Sequence, residues 1–357
     1  HVFTPSTVSG KSGDVNFDAT GILKKYGHEA ALYALDKWDI TDKIQVNAGL
    51  RFSLFDQVGP YKKNIYDFMG NLVDSITYSK GQQIKTYLGL ELRLLFRYTL
   101  NEVSSVKASF NISNQYVNLV SNNGTTLPTD IWVPSSLIVK PQIGTQYSLG
   151  YFRNFKQNTF ETSVEVYYKQ MQNQIEYKEG YTPSPNEDLE ESFVFGKGNS
   201  YGIEFFVNKQ YGNSSGWIGY TLSYTNRIFD ALNDGEPFPY RYDRRHNLSV
   251  VMSYKLNDHW SFGGTFVYNT GIAYTLPVGK YIIDGQIITE YGPINSYRLA
   301  DYDRLDLSAI YSRNKNKNKK LNSSWAFSVY NVYNRHNPYF IYNEYSGVFL
   351  QDPQVVV

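Results

Sequence analysis

The chain has 357 residues, a formal charge of +1 and no cysteine. The even charge balance gives no electrostatic case for a nucleic-acid partner, and the missing cysteine excludes disulfides, thiolate metal sites and cysteine nucleophiles. Tyr (33), Phe (21) and Gly (27) are abundant, and no apolar run approaches the ~18 residues of a membrane helix, which favours one large β-structure. A membrane location stays open, because a β-barrel hides its apolar residues at every second position and its average hydropathy looks soluble.

His1 to Gly27 is rich in Ser, Thr, Gly and Asp without sustained periodicity and reads as a loop. No charged-then-apolar leader opens it, so the chain is expected to be a mature protein or a piece of a longer one. The first strand is expected over His28 to Ile40, followed by the turn Thr41-Asp42-Lys43. The next strand alternates Ile44, Val46, Ala48, Leu50, Phe52 and Leu54 with Gln45, Asn47, Gly49, Arg51 and Ser53. Successive side chains of a strand point to opposite faces, so one face is apolar and the other polar.

After a long connection from Asp56 to Gln83, the hairpin Ile84 to Ser113 gives the clearest pattern. Leu88, Leu90, Leu92, Leu94, Phe96 and Tyr98 share one parity; Tyr87, Gly89, Glu91, Arg93, Leu95 and Arg97 share the other. The return arm sets Val106, Ala108, Phe110 and Ile112 against Lys107, Ser109, Asn111 and Ser113. Each arm holds about ten residues of alternation, the length a tilted strand needs to cross a bilayer. A third hairpin joins Gln142–Asn154 to Phe160–Gln170, and a fourth joins SYGIEFFVNK to WIGYTLSYTNR across YGNSSG. The fifth is HNLSVVMSYKL with WSFGGTFVYNTG; the connection after it is expected to hold a small hairpin around Asp284-Gly285. The sixth pairs DRLDLSAIYSR with SSWAFSVYNVYN across a basic turn, Asn316-Lys317-Asn318-Lys319-Lys320, read as a solvated turn. A parity shift between Val329 and Tyr330 marks a bulge or the rim of the sheet.

About twelve strands in six hairpins result, and their connections alternate between roughly three to eight residues and roughly twelve to thirty. In an up-and-down meander, alternate connections emerge at the same end. One end is therefore trimmed and the other carries large loops, as in outer-membrane barrels with short periplasmic turns and long extracellular loops. The fold class read from this pattern is all-β, a transmembrane antiparallel up-and-down β-barrel. Trp217, Trp260 and Trp325 each follow a short turn, where a membrane interface would lie.

The run from SYGIEFFVNK through WSFGGTFVYNTG resembles the barrel of TonB-dependent outer-membrane receptors of the Bacteroidota type. So do WDITDKIQVNAGLRFS near the start, and YRLADYDRLDLSAIY with WAFSVYNVYNRHNPYFIYNE near the end. The resemblance covers essentially residues 1–357. It implies a 22-stranded barrel around an N-terminal plug, binding a scarce nutrient at the cell surface and importing it with energy delivered through TonB. On that basis the chain is the later part of the barrel, with the plug, the TonB-contacting segment and the early strands absent. The final strand, which in the family ends on an aromatic residue, is expected to be absent too, since the chain ends on Val357. Implied partners are outer-membrane lipid, the TonB–ExbB–ExbD system acting through the plug, and a surface substrate-capture lipoprotein; no cofactor is implied.

Ions are expensive on the lipid side of a barrel, so Arg51, Glu91, Arg93, Arg97, Glu161, Glu165, Lys169, Glu204, Arg304 and Asp306 are expected to face the lumen or plug. Arg241-Tyr242-Asp243-Arg244-Arg245-His246 is the densest polar cluster. It has no second histidine at metal-ligand spacing and reads as a rim stretch whose ions pair with neighbouring elements. The acidic run Asn186-Glu187-Asp188-Leu189-Glu190-Glu191 reads as a solvated outer loop. Loop aromatics Trp132, Tyr181, Phe238 and Tyr240 are the ligand-contact candidates, because binding residues concentrate on loops over a rigid scaffold. A passive twelve-stranded porin and a barrel-borne enzyme or adhesin are the competing functions. No Ser/His or carboxylate constellation supports an enzyme, and siderophore, haem, vitamin, peptide and glycan all stay open as cargo.

Overall fold

The computed structural model describes residues 24–69, 71–120, 131–178, 189–283, 286–313 and 323–338, with short pieces at 2–3, 10–12, 15–17, 340–342, 345–346, 349–350 and 354–356. Twelve strands build its main sheet: β1 (Lys25–Asp39), β2 (Ile44–Val58), β3 (Gln83–Asn101), β4 (Ser104–Gln115), β5 (Gln142–Phe155) and β6 (Phe160–Tyr177) are followed by β7 (Phe193–Lys209), β8 (Ser214–Ile228), β9 (His246–Lys255), β10 (Trp260–Asn269), β11 (Tyr302–Ser312) and β12 (Ser324–Val329). Each pairs antiparallel with its neighbours in sequence, from β1 to β12 without a crossover. The two-residue strands Val2–Phe3 and Phe238–Pro239 add to β1 and β8. The six expected hairpins are all present.

The pairing register fixes which residues share a face. Leu50 lies opposite Leu92 and Phe52 opposite Leu90, while Arg51 lies opposite Glu91 between them. Leu90 is 60% exposed and its neighbour Glu91 only 1%. A sheet that buries a carboxylate on one face and bares leucines on the other is inverted for water and suited to hydrocarbon.

The buried apolar clusters lie away from the middle of the sheet. Val120, Val133 and Val139 pack with Phe193; Phe229, Leu232 and Phe238 form a second cluster; Ile272 and Leu299 form a third. All three involve the long connections, which are therefore folded over one end of the sheet. Tyr61–Tyr66 pairs with Leu72–Tyr78, Val117–Val120 with Ile131–Pro134, and Pro277–Ile283 with Gln286–Tyr291. The last is the small hairpin expected around residues 284–285, which themselves lie outside the described residues.

Several boundaries differ from the sequence reading. β6 runs on to Tyr177 and β7 begins at Phe193, so these strands outrun the ~10 residues a bilayer needs and project at the long-connection end. Part of the segment read as an N-terminal loop pairs, Gly10–Ser12 with Val15–Phe17. β12 stops at Val329, so the parity shift there is the rim of the sheet.

Trp217 requires a correction. Trp260 and Trp325 flank Tyr311 in one cross-strand row on the leucine face, with the Trp260 and Tyr311 ring centroids 5.0 Å apart. Trp217 instead shares its row with Asn208 and Glu161, on the ionic face, 6.1 Å from the Phe206 ring. Position after a turn sets depth, but parity sets the face, and Trp217 has the parity of Thr221, Ser223 and Thr225.

Candidate functional site

Part of the ionic face is internally paired. Arg51 Nη1 donates to Glu91 Oε1 at 2.7 Å, Ser53 Oγ donates to the same oxygen at 3.1 Å, and Arg93 stands 3.7 Å from Glu91 Oε2. Gly89 makes this packing possible: a Cβ there would stand 2.4 Å from the Tyr116 hydroxyl and 2.6 Å from Ser53 Oγ. Tyr116 leans over the sheet from the end of β4 and stacks on Phe55 at 5.4 Å. Glu161 accepts from Asn208 Nδ2 at 3.1 Å, and Glu165 lies directly opposite Glu204. Arg97 lies opposite Gln45 and Lys107, and Arg304 pairs with Asp306 at 3.0 Å while donating to the Tyr330 hydroxyl at 2.6 Å. Every ion assigned by parity therefore lies on the face opposite the leucines.

Above this face the long connections converge. The Tyr87 hydroxyl donates to the Ser136 carbonyl at 2.7 Å and the Leu137 amide to Gln57 Oε1 at 3.2 Å. Ser136 Oγ donates to Glu190 at 2.7 Å, and Lys25 pairs with the same carboxylate. Glu190, read as part of a solvated run, is buried instead, because two connections and the start of β1 close around it; residues 186–188 lie outside the described residues.

A cavity of about 430 Å³ opens at this end. Its floor is the ionic parity of β4, β5, β6 and β8, and its walls are the connections after β4 and β8. Trp132 and Tyr240 both line it, so two of the four loop aromatics come together. Phe238 does not: its ring is buried against Phe229 and Leu232, and it holds the connection in place rather than presenting to a ligand. Tyr181 lies outside the described residues.

The cavity is polar and mostly cationic. Arg241 Nη2 donates to Glu176 Oε1 at 2.5 Å, and the Arg227 guanidinium stacks 4.1 Å above the Tyr240 ring. Burial raises the Tyr240 pKa above the ordinary tyrosine value, against the lowering effect of Arg227 and Arg241, so its hydroxyl stays protonated as a neutral donor and acceptor. Asn118 is 2% exposed, and neither atom of its side-chain amide has a hydrogen-bond partner within the protein. Each such atom costs about 1–3 kcal/mol until something hydrogen-bonds to it. Asn118, Lys169 and Arg227 were not read as a binding site from sequence; continuing the strand parity past bilayer length would have placed Lys169 and Arg227 on this floor.

The cluster from Arg241 to His246 is a rim clamp. Asp243 is buried, receives the Thr225 amide at 2.7 Å and Arg245 Nε at 2.9 Å, and pairs with Arg298, whose Nη1 also caps the Asp243 carbonyl at 2.7 Å. Two connections are thereby tied to β8. Among the described residues, no group of three or more His, Cys, Asp or Glu is arranged to hold a metal ion.

Solved structures similar to this sheet include import and siderophore receptors. The ferric-catecholate import receptor Fiu from E. coli K12 superposes with a TM-score of 0.57 at 16% identity, over 91% of this chain and 43% of that one. The ferripyoverdine receptor of Pseudomonas aeruginosa gives 0.56 at 17% identity, over 93% of this chain and 38% of that one. The siderophore receptor PiuA from Acinetobacter baumannii gives 0.58 at 15%, over 88% and 40%. The chain thus spans about two fifths of the length of these receptors, and at such identity the likeness is one of fold. No curated protein matches it. The family model for the TonB dependent receptor-like β-barrel matches residues 3–334. With its leucine face, its opposite ionic face and its sorted connections, the chain belongs to the TonB-dependent receptor β-barrel family and is an outer-membrane protein.

Proposed function

We propose that the complete receptor captures a scarce nutrient at the cell surface and imports it into the periplasm with energy supplied through TonB, and that it is not an enzyme. The cavity at the long-connection end carries this reading. It is polar, about 430 Å³, placed over the ionic face and walled by two connections tied to the sheet. A site of that size orients a small ligand over a lumen, and binding sites of this kind are largely pre-formed. The ions of β2, β3, β6, β7 and β11 then line the path below it and meet the plug. TonB–ExbB–ExbD act on that plug, and a surface lipoprotein is the expected donor of cargo.

The test is uptake by cells carrying the full receptor gene. Ferric siderophores form the first panel, because the structural neighbours are described as siderophore receptors; haem, cobalamin, peptides and oligosaccharides form the second. Accumulation of one cargo that stops on dissipating the proton gradient or deleting TonB is the expected result. Uptake unaffected by either treatment would identify a passive porin.

A further inference from the structure

Two side chains in the outer cavity reach their positions by lying across glycines. A Cβ added at Gly198 would stand 3.0 Å from Arg227 Cδ, and one added at Gly144 would stand 3.2 Å from Lys169 Cε. Arg227 lies opposite Gly198 across the β7–β8 pair. Lys169 lies opposite Gln146 but leans two residues outward along β5, over Gly144 and toward the cavity. A side chain at either glycine would crowd the aliphatic stem of the cation by a few tenths of an ångström, so the two glycines leave room for these side chains on the floor.

The charges around them do not cancel. Lys169, Arg227 and Arg241 line the cavity, and the acidic lining residue, Glu176, already holds Arg241. Arg227 is about nine-tenths buried, its face is taken by Tyr240, and its Nε has no hydrogen-bond partner within the protein. Asn118, in the same cavity, has an amide with both atoms unmatched. A buried guanidinium with a donor unused, beside a second cation, is complementary to an oxygen anion, and the Asn118 amide to a neighbouring donor–acceptor group such as a hydroxyl or amide.

We propose that the cavity is an oxyanion site: its ligand presents a carboxylate or phosphate oxygen group to Arg227 and Lys169, with a hydrogen-bonding group beside it on Asn118. The proposal rests on reading this cavity as the receptor's ligand site, and it narrows the cargo to anionic molecules.

Trp132 lines the same cavity and is more than half exposed, so its fluorescence reports on the local potential. The experiment uses the full receptor in detergent, with the Trp132 signal isolated by subtracting the W132F spectrum. Quenching by potassium iodide is compared with quenching by caesium chloride at fixed ionic strength. With each constant normalised to that of free N-acetyltryptophanamide, iodide is expected to exceed caesium by about sevenfold, because a local potential near 1 kT enriches the anion and depletes the cation by about 2.7-fold each. K169Q and R227Q should each bring the ratio toward one; K169Q alone suffices if R227Q does not fold, because Lys169 is only partly buried. Citrate and inorganic phosphate are then tested for protection of Trp132 against iodide, with glucose as the neutral control. Protection by one or both supports the site and identifies the oxyanion. Equal quenching constants, a ratio unchanged by K169Q, or protection by neither anion would overturn it. Failure of the transport reading would show separately, as energy-independent uptake with the quenching ratio intact.

Discussion

Arg51 and Glu91 face each other across β2 and β3 with Nη1 and Oε1 2.7 Å apart, on the side of the sheet away from the bare leucines. Glu91 also takes the Ser53 hydroxyl and stands near Arg93, so it is the acceptor at the centre of a buried polar cluster. Removing it leaves Arg51 with the longer 3.7 Å contact to Glu29 and takes an acceptor from the buried Ser53 hydroxyl. Glu91→Ala should therefore cost about 2 kcal/mol. Glu91→Gln, which keeps an acceptor for Ser53, should cost less. Urea unfolding of the detergent-solubilised receptor measures both, and equal losses would show that the retained acceptor contributes nothing and the lost charge accounts for the whole effect.

Leu94 and Leu95 are adjacent in β3 and point opposite ways. Leu94 lies opposite Ala48 and Phe110 on the bare face, and Leu95 opposite Asn47 and Ser109 on the ionic face. Arginine facing lipid near mid-membrane costs about 2–4 kcal/mol, whereas a lumen position tolerates it. Leu94→Arg should thus impair folding into lipid vesicles far more than Leu95→Arg. Comparable losses would mean that the faces are misassigned.

Asp301 gives the rim an acid limit. The Tyr268 hydroxyl donates to it at 2.6 Å and the Gly271 amide at 3.0 Å, and together they hold its pKa below the ordinary carboxylate value, with the Tyr268 bond the larger cause. A carboxylate with a depressed folded pKa adds stability that is complete above its unfolded pKa, about 4, and is lost as pH falls through the lower folded value. Protease sensitivity of the connection over residues 270–301 should therefore rise below about pH 4. Asp301→Asn should be more sensitive at neutral pH and show a weaker rise on acidification.

Phe238 separates support from contact. Its ring packs with Phe229 and Leu232, and its backbone pairs with Arg227. Phe238→Ala should destabilise that connection locally by about 3 kcal/mol. Hydrogen exchange over residues 229–245 should quicken while the β3 and β4 amides stay protected. Loss of ligand affinity would follow from loosening Tyr240. If affinity falls with exchange unchanged, Phe238 touches the ligand directly.

The sheet was legible in the sequence because strands such as β2 and β3 alternate over about bilayer length, and a single misplaced parity would put Glu91 or Arg93 into lipid. The cavity was not, because its residues come from connections with no period to read. Asn118 and Trp132 are brought there by a hairpin inside one connection, and Tyr240 by another that Phe238 anchors. Phe238 looked like a ligand contact since an aromatic in a loop gives no sign of which side is covered. Trp217 was misjudged for a different reason: depth was considered without parity. Lys169 was legible as a polar-face ion, but not as a cavity residue, because its lean over Gly144 depends on two strands at once.

The inverted sheet is the central claim, and the absence of cysteine from these 357 residues allows a direct test in a receptor with any other cysteines replaced. Single cysteines at Leu50, Leu94 and Val164 on one parity and at Arg51, Leu95 and Glu165 on the other form adjacent pairs in β2, β3 and β6. In intact outer membranes, a small charged thiol reagent should modify positions 51, 95 and 165. Positions 50, 94 and 164 should react only with a lipid-soluble maleimide. Equal reactivity within the pairs, or the opposite pattern, would contradict a barrel whose leucines face lipid and whose ions face the lumen.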